Sequence, residues 1–364
     1  MNQKIRFCSG ADGARIAYAL SGHGAPLAMS ATWLNHLEYQ WRSLAWRPWL
    51  EHFTREYTLL RYDLRGTGLS DRSFANASAD TWVRDFAAVV DAAGLKRFPL
   101  LGICQGGPIA IEYAARHSER VSHLLLYGTY ARGNFMRPER PREFDKAQVF
   151  VDMARLGWGL EDHAFMQVWA SLFQPGGGIE HLRSWTELQR QAISSENAPA
   201  FFEAAFYTDV QDAARRIKCP TLVIHASKDK AVHVEEGRLL AGLIPGARFV
   251  ELDSENHMLL PEEPAWTRFL EEVQCFLGTP RAQGETAGIE ERLTALTERE
   301  RQVLEGIARG LDNAEIAAEL ALSEKTVRNH ITRVFDKIGV AHRYQAIVLA
   351  RDAGLGNGRR PAPL

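Results

Sequence analysis

Phe98-Pro99-Leu100-Leu101-Gly102-Ile103-Cys104-Gln105-Gly106-Gly107-Pro108 is an apolar run that ends on a cysteine flanked by glycines. The run reads as a buried strand. Residues 106–117 read as the helix that follows, with Pro108 in its first turn. A chain that passes from strand to helix through Gly102-Ile103-Cys104-Gln105-Gly106 turns sharply, and the glycines are needed because neighbouring backbone crowds the turn. A Gly-x-nucleophile-x-Gly turn presents its central side chain at the sheet edge. Here that side chain is a thiol at a helix N-terminus, where the helix dipole favours the thiolate.

Working outward, residues 57–62, 121–127, 221–225 and 248–252 read as further strands, and 79–94 as a helix. Strands alternating with helices predict βαβ units and a parallel sheet, which is the α/β class. Two partners for Cys104 follow in chain order. His225-Ala226-Ser227-Lys228-Asp229 puts a carboxylate just after one strand, and Ser254-Glu255-Asn256-His257 puts an imidazole after the next. The loop Gly128-Thr129-Tyr130 offers no alternative carboxylate. The candidate catalytic set is therefore Cys104, Asp229 and His257. His257 would take the thiol proton, Asp229 would orient the imidazole, and Cys104 would attack a carbonyl. The backbone N–H of Gln105 would be one oxyanion donor, and Thr32 or Trp33 after the third strand would supply the other.

Residues 132–212 break this rhythm. They read as helical and are rich in large apolar groups, among them Trp158, Trp169, Phe173, Trp185, Phe201, Phe202 and Phe206. They fit a small helical subdomain with its own packing, and equally a cap whose rings line a cleft. The candidate ligand-binding residues are Trp33, Cys104, Gln105, Trp158, Trp169 and His257.

Bulk properties narrow the classes. At 364 residues two domains are expected. The formal net charge of -2 leaves no global basic field, so any nucleic-acid surface must be local. The four cysteines form no Cys-x-x-Cys pair and lie near no histidine at metal spacing, which argues against a zinc site or a disulfide framework. No cofactor and no metal are expected. Scattered thiols, no signal-like apolar start and no long uncharged apolar run lead us to expect a cytoplasmic protein without a membrane span.

A glycine- and proline-broken stretch, 278–291, reads as a linker, with 1–277 before it, a helical unit at 292–356 after it and a tail at 357–364. In the helical unit Thr297 and Glu300 have capping-box spacing. A short helix at about 313–320 precedes one that starts at Ser323 and stops at Gly339. On that third helix Val327, Ile331, Val334 and Ile338 share one face, while Lys325, Arg328, Asn329 and Thr332 cluster opposite. Residues 321–360 hold eight Lys/Arg against three Asp/Glu. A solvated helix face is the usual fate of such charges. A short helix, a tight turn, an amphipathic helix and a basic excess in succession point instead to DNA.

Leu296-Thr297-Glu298-Arg299-Glu300-Arg301-Gln302-Val303-Leu304, Asn313-Ala314-Glu315-Ile316-Ala317 and Leu322-Ser323-Glu324-Lys325-Thr326-Val327-Arg328-Asn329-His330-Ile331 together resemble the LuxR-type helix-turn-helix. The resemblance implies a four-helix domain that binds double-stranded DNA as a dimer. It makes Arg328, Asn329 and Thr332 candidates for major-groove contacts, and Lys325, Thr326 and Arg333 for phosphate contacts. Residues 1–277 resemble the α/β-hydrolase fold with a helical cap, on the turn around Cys104, the order of its partners and the loop Arg61-Tyr62-Asp63-Leu64-Arg65-Gly66-Thr67-Gly68-Leu69-Ser70-Asp71. Where many members of that fold carry His-Gly after the third strand, this chain has Ala31-Thr32-Trp33. The expected function is a homodimeric transcription regulator whose hydrolase-like domain senses a small, largely apolar ligand bearing a carbonyl, ester or lactone. The alternative is a cysteine-dependent hydrolase, weak or vestigial, with an accessory DNA-binding module. Cys104 stands open to three roles: catalytic thiol, adduct-forming sensor, or pocket lining.

Overall fold

In a computed structural model of the chain, residues 3–10, 12–72, 78–137, 139–160, 164–278, 293–340, 343–352 and 355 are described. The linker stretch and the tail read from the sequence lie almost wholly outside them. Two compact units emerge, Met1–Phe269 and Leu270–Leu364.

The first unit is built on an eight-stranded sheet: β1 (Lys4–Ser9), β2 (Arg15–Gly22), β3 (Ala25–Ser30), β4 (Tyr57–Tyr62), β5 (Phe98–Ile103), β6 (Val121–Tyr127), β7 (Thr221–Ala226) and β8 (Arg248–Leu252). Their spatial order is β1-β2-β4-β3-β5-β6-β7-β8. The run from β4 to β8 is parallel, as strand–helix alternation predicts, but β2 is antiparallel to both its neighbours. The exception has a simple cause. Only five residues join β1 to β2 and two join β2 to β3, too few for the crossover that a parallel pair needs, so the chain reverses at each link and β2 runs against the rest.

Helices α1 (Arg47–Glu56), α2 (Ala79–Ala92) and α3 (Gly106–Arg116) connect the first strands. Between β6 and β7 the described residues form five α-helices in succession: α4 (Pro141–Gly157), α5 (Ala164–Ala170), α6 (Gly178–Ala192), α7 (Ala198–Phe206) and α8 (Gln211–Arg215). Then α9 (Val234–Leu243) joins β7 to β8, and α10 (Pro264–Leu277) follows β8. The interior strands β5 to β7 are buried on nearly every residue, as a sheet covered on both faces requires. Phe201 of α7 stacks on Trp82 of α2 at 5.4 Å and 9°, which fixes the helical insertion against the sheet's flank.

The second unit carries α11 (Glu298–Ala308), α12 (Asn313–Leu320), α13 (Glu324–Ile338) and α14 (Arg343–Asp352). Val303, Leu304, Ile307, Ile316, Val327, Val334, Ile338 and Ala346 form its core. The Thr297–Glu300 capping box is complete, and a second, between Asp312 and Glu315, starts α12. Glu300 also takes an ion pair from Lys337 at 2.7 Å.

Candidate active site and nucleic-acid interface

Cys104 sits on the turn between β5 and α3 with φ of 50°, left-handed backbone for a residue that is not glycine. Such a conformation costs about 1–3 kcal/mol and persists only when its surroundings hold it. Here they do. The Cys104 N–H donates to the Tyr127 carbonyl at 3.0 Å. The Cys104 carbonyl accepts from the Gly107 N–H at 3.0 Å and from the Thr129 hydroxyl at 2.5 Å. The flanking glycine is also explained, since a Cβ on Gly102 would lie 2.9 Å from the Gly107 Cα and from Ala110.

The loops after β7 and β8 bring in the partners. Asp229 and His257 are both buried, and Asp229 Oδ2 lies 2.6 Å from His257 Nδ1. The other carboxylate oxygen accepts the N–H groups of Ala231 and Val232 at 2.8 and 2.9 Å, which locks its orientation. Burial opposes charge on His257, but the attraction of Asp229 and of Cys104 outweighs it and pushes the imidazole up to about 10. Asp229 is held well below the usual carboxylate range, where the two histidines beside it, His257 and His225, overcome the effect of burial. Nε2 of His257 is buried and makes no hydrogen bond of normal geometry among the described residues. It is free to exchange a proton with Cys104, which lies near enough to favour the imidazolium. Gly128, at φ 53°, makes room for the ring, since a Cβ there would lie 2.9 Å from His257 Cε1.

The His257 loop is tied to the helical insertion. The Met258 N–H donates to the Phe173 carbonyl at 3.1 Å, and the Gly176 N–H donates to Asn256 Oδ1 at 3.0 Å. Gln174 donates through Nε2 to the Met258 carbonyl at 2.7 Å and accepts the Trp185 indole N–H at 3.0 Å. The Phe173 ring meets His257 edge-on at 5.1 Å.

Two cavities meet at Cys104. The smaller runs from Cys104 and His257 toward Trp46, Trp185 and Met258. The larger is walled by Gln105, Tyr130, Trp169, Phe201, Phe202 and Phe206 and ends near Asn134 and Arg137. Trp33 and Phe173 line both. Trp158 stands one layer back from either. It packs on Trp33 at 5.5 Å, and its indole N–H donates to the Ile193 carbonyl at 3.2 Å. Of the two loop residues considered as oxyanion donors, Thr32 has its N–H engaged by Asn35 Oδ1 at 3.2 Å.

In the second unit α13 begins at Ser323, whose hydroxyl accepts the Thr326 N–H, and ends at Gly339 in left-handed geometry. Val327, Val334 and Ile338 are buried, and Ile331 is half-buried against the same core. Lys325, Arg328, Asn329, Thr332 and Arg333 are exposed, and Thr326 is half-buried. The turn before α13 passes through Ala321 at φ 51° and needs no glycine. Thr332 donates its hydroxyl back to the Arg328 carbonyl at 3.2 Å, so toward solvent it offers an acceptor and a methyl group.

Residues 294–350 match the family described as bacterial regulatory proteins, luxR family. Residues 23–165 match the alpha/beta hydrolase fold. The chain joins an α/β-hydrolase-fold domain to a luxR-family regulatory domain. The first of these is similar over 246 residues to the AB hydrolase superfamily protein YisY of Bacillus subtilis, at 29% identity over 66% of this chain and 88% of that protein. It is similar over 252 residues to a pyrrolizixenacetamide deacetylase of Xenorhabdus hominickii, at 25% identity over 69% of this chain and 91% of the relative. Among solved structures it resembles the esterase RhEst1 from Rhodococcus sp. ECU1013, with a TM-score of 0.60, 25% identity, and 76% and 99% of the two chains covered. In the described residues no helix is long and apolar enough to cross a membrane.

In the hydrolase-fold domain the structure brings Cys104, His257 and Asp229 together, and places Trp33, Gln105 and Trp169 on the cavities that meet at Cys104. Sequence reasoning missed Tyr130, Asn134, Arg137, Trp46 and Met258. Tyr130 carried a signal, since it follows a parallel strand on the edge where such sheets bind ligands. Arg137 and Asn134 carried none, because their approach to the cavity depends on how the insertion folds back.

Proposed function

We propose that this chain is a cytoplasmic, DNA-binding transcription regulator whose hydrolase-fold domain receives a small, largely apolar ligand with a carbonyl, ester or lactone group. The observation that carries the reading is the placement of Cys104. It stands at the junction of two aromatic-walled cavities in a chain that also carries a LuxR-type DNA-binding domain. Ligand occupancy changes DNA affinity through the homodimer, with the two sites coupled in free energy. The linker at 278–291 joins sensor to reader. On α13, Arg328, Asn329 and Thr332 face base edges, while Lys325, Thr326 and Arg333 hold phosphates.

The chemistry available at the cavity is acyl transfer to sulfur. His257 Nε2 takes the Cys104 proton, and sulfur attacks the carbonyl carbon. The oxyanion forms against the backbone N–H groups of Gln105 and Trp33, the amide of Thr32 being engaged. Collapse breaks the carbon–oxygen bond of the ester, and the leaving alkoxide takes its proton from the His257 imidazolium. The product is a thioester on Cys104. Water attack would release it and return the thiol, and the intact Asp229–His257 pair favours this second reading, a cysteine hydrolase.

Three measurements separate the readings. Salt-dependent binding of the purified chain to its own promoter region is expected, and its absence defeats the regulator. Steady hydrolysis of activated esters, lost in Cys104→Ala, establishes the hydrolase. An intact mass raised by a stable acyl group on Cys104 establishes the covalent sensor.

A further inference from the structure

The larger cavity is apolar except for a few groups, and those groups are specific. Gln105 is buried, and its side-chain Oε1 has no hydrogen-bond partner among the described residues. Trp169 is buried as well, and its indole Nε1–H is likewise without a partner. Both residues line this cavity. By contrast Trp158, which packs behind Trp33, donates to the Ile193 carbonyl, and Trp185, on the smaller cavity, donates to Gln174 Oε1. A buried donor or acceptor left unpaired is costly, so groups kept in this state at a cavity wall are poised for a ligand.

The charge at the cavity's far end is already spent. Arg137 is buried, ion-paired to Glu143 at 2.8 Å and Glu236 at 3.4 Å, and donates twice to the Arg132 carbonyl at 2.9 and 2.6 Å. Arg132 in turn pairs with Glu236 and Glu139. An anionic ligand finds no uncommitted cation here and loses its hydration.

We propose that the larger cavity selects an uncharged ligand carrying an amide-type group, whose acceptor takes the Trp169 indole N–H and whose donor and acceptor complement the Gln105 side-chain amide. The inference rests on the reading of this cavity as a ligand site. It makes Gln105 and Trp169 the specificity-determining residues, apart from the reacting thiol. A plain hydrocarbon chain leaves both unpaired, and a carboxylate brings a charge that nothing in the wall answers.

Three probes of equal heavy-atom count isolate the idea: N-benzylacetamide, benzyl acetate and 3-phenylpropionate. Titration calorimetry on the full-length Cys104→Ala chain prevents turnover of the ester. The amide is expected to bind about tenfold more tightly than the ester, which lacks the donor, and about a hundredfold more tightly than the carboxylate. Gln105→Leu should bring amide and ester to equal affinity. Trp169→Phe should weaken both by a similar factor. If the ester matches the amide in the Gln105-containing chain, or the carboxylate binds best, this inference is overturned while the cavity stands as a ligand site. If none of the three binds, the cavity reading itself falls and the inference falls with it. The ranking in the Gln105-containing chain decides the matter even if a cavity variant fails to fold.

Discussion

Replacing Asp229 with asparagine isolates what the buried carboxylate does. Asparagine has almost the same shape, and its oxygen can still accept the Ala231 and Val232 N–H groups that now bond Oδ1 at 2.8 and 2.9 Å. What disappears is the charge 2.6 Å from His257 Nδ1. With that charge present the imidazole is pushed up from 6.5 to about 10 although burial works against it. The rise corresponds to about 5 kcal/mol between charged and neutral ring, at 1.36 kcal/mol for each pH unit. Without Asp229, burial opposes the charge with only Cys104 to offset it, and the imidazole drops. The imidazolium is then less favoured, and Cys104 loses the partner that the carboxylate sustains. The expected result is at least tenfold slower alkylation of Cys104 by iodoacetamide, since thiolate is the reacting form. Peptide mass spectrometry distinguishes Cys104 from Cys8, Cys219 and Cys275. His257→Asn should be as slow. An Asp229→Asn chain that alkylates at the native rate would refute the claim that this carboxylate sustains the thiol's partner.

Other consequences can be measured directly. Because the His257 imidazole titrates higher in the folded chain than in the unfolded one, its stabilising contribution is complete below about pH 6.5 and is lost as pH rises toward 10. The thermal midpoint of the hydrolase-fold domain should therefore fall across that window, and Asp229→Asn should flatten the fall. Gly128→Ala sets a Cβ 2.9 Å from His257 Cε1 at a φ of 53°, so we expect a loss of about 1–3 kcal/mol by thermal unfolding, together with slowed Cys104 alkylation. Arg333→Ala should lower the slope of log affinity against log salt by about one, and Asn329→Ala should cost about 1–3 kcal/mol on the preferred site while leaving non-specific binding unchanged. Thr297→Ala removes one half of the α11 capping box and should lower the stability of the DNA-binding domain by about 1 kcal/mol in urea unfolding.

The residues whose placement depends on their neighbours in sequence were legible. The turn at Cys104, the run of parallel strands and the two faces of α13 all follow from periodicity and glycine spacing, so their geometry was readable one segment at a time. The antiparallel β2 was not foreseen, because strand–helix alternation says nothing of a hairpin added at the start. The second capping box, Asp312 with Glu315, was written in the sequence at the same spacing as the first and went unread. The cavity was legible only in part. Trp33 and Trp169 reach it as expected, but Trp158, equally aromatic and equally buried, is spent on packing and on the Ile193 carbonyl. Aromatic content shows that a helical insertion has rings to place. Which rings face the void depends on contacts between segments far apart in sequence.

The three hydrogen bonds between the His257 loop and residues 173–176 make the lid and the base one mechanical part. If that stretch lifts to admit a molecule, either those bonds break or the imidazole travels with it, and in both cases the sulfur loses its proton acceptor. A shift anywhere in residues 173–176 is therefore felt at the group that takes the thiol's proton.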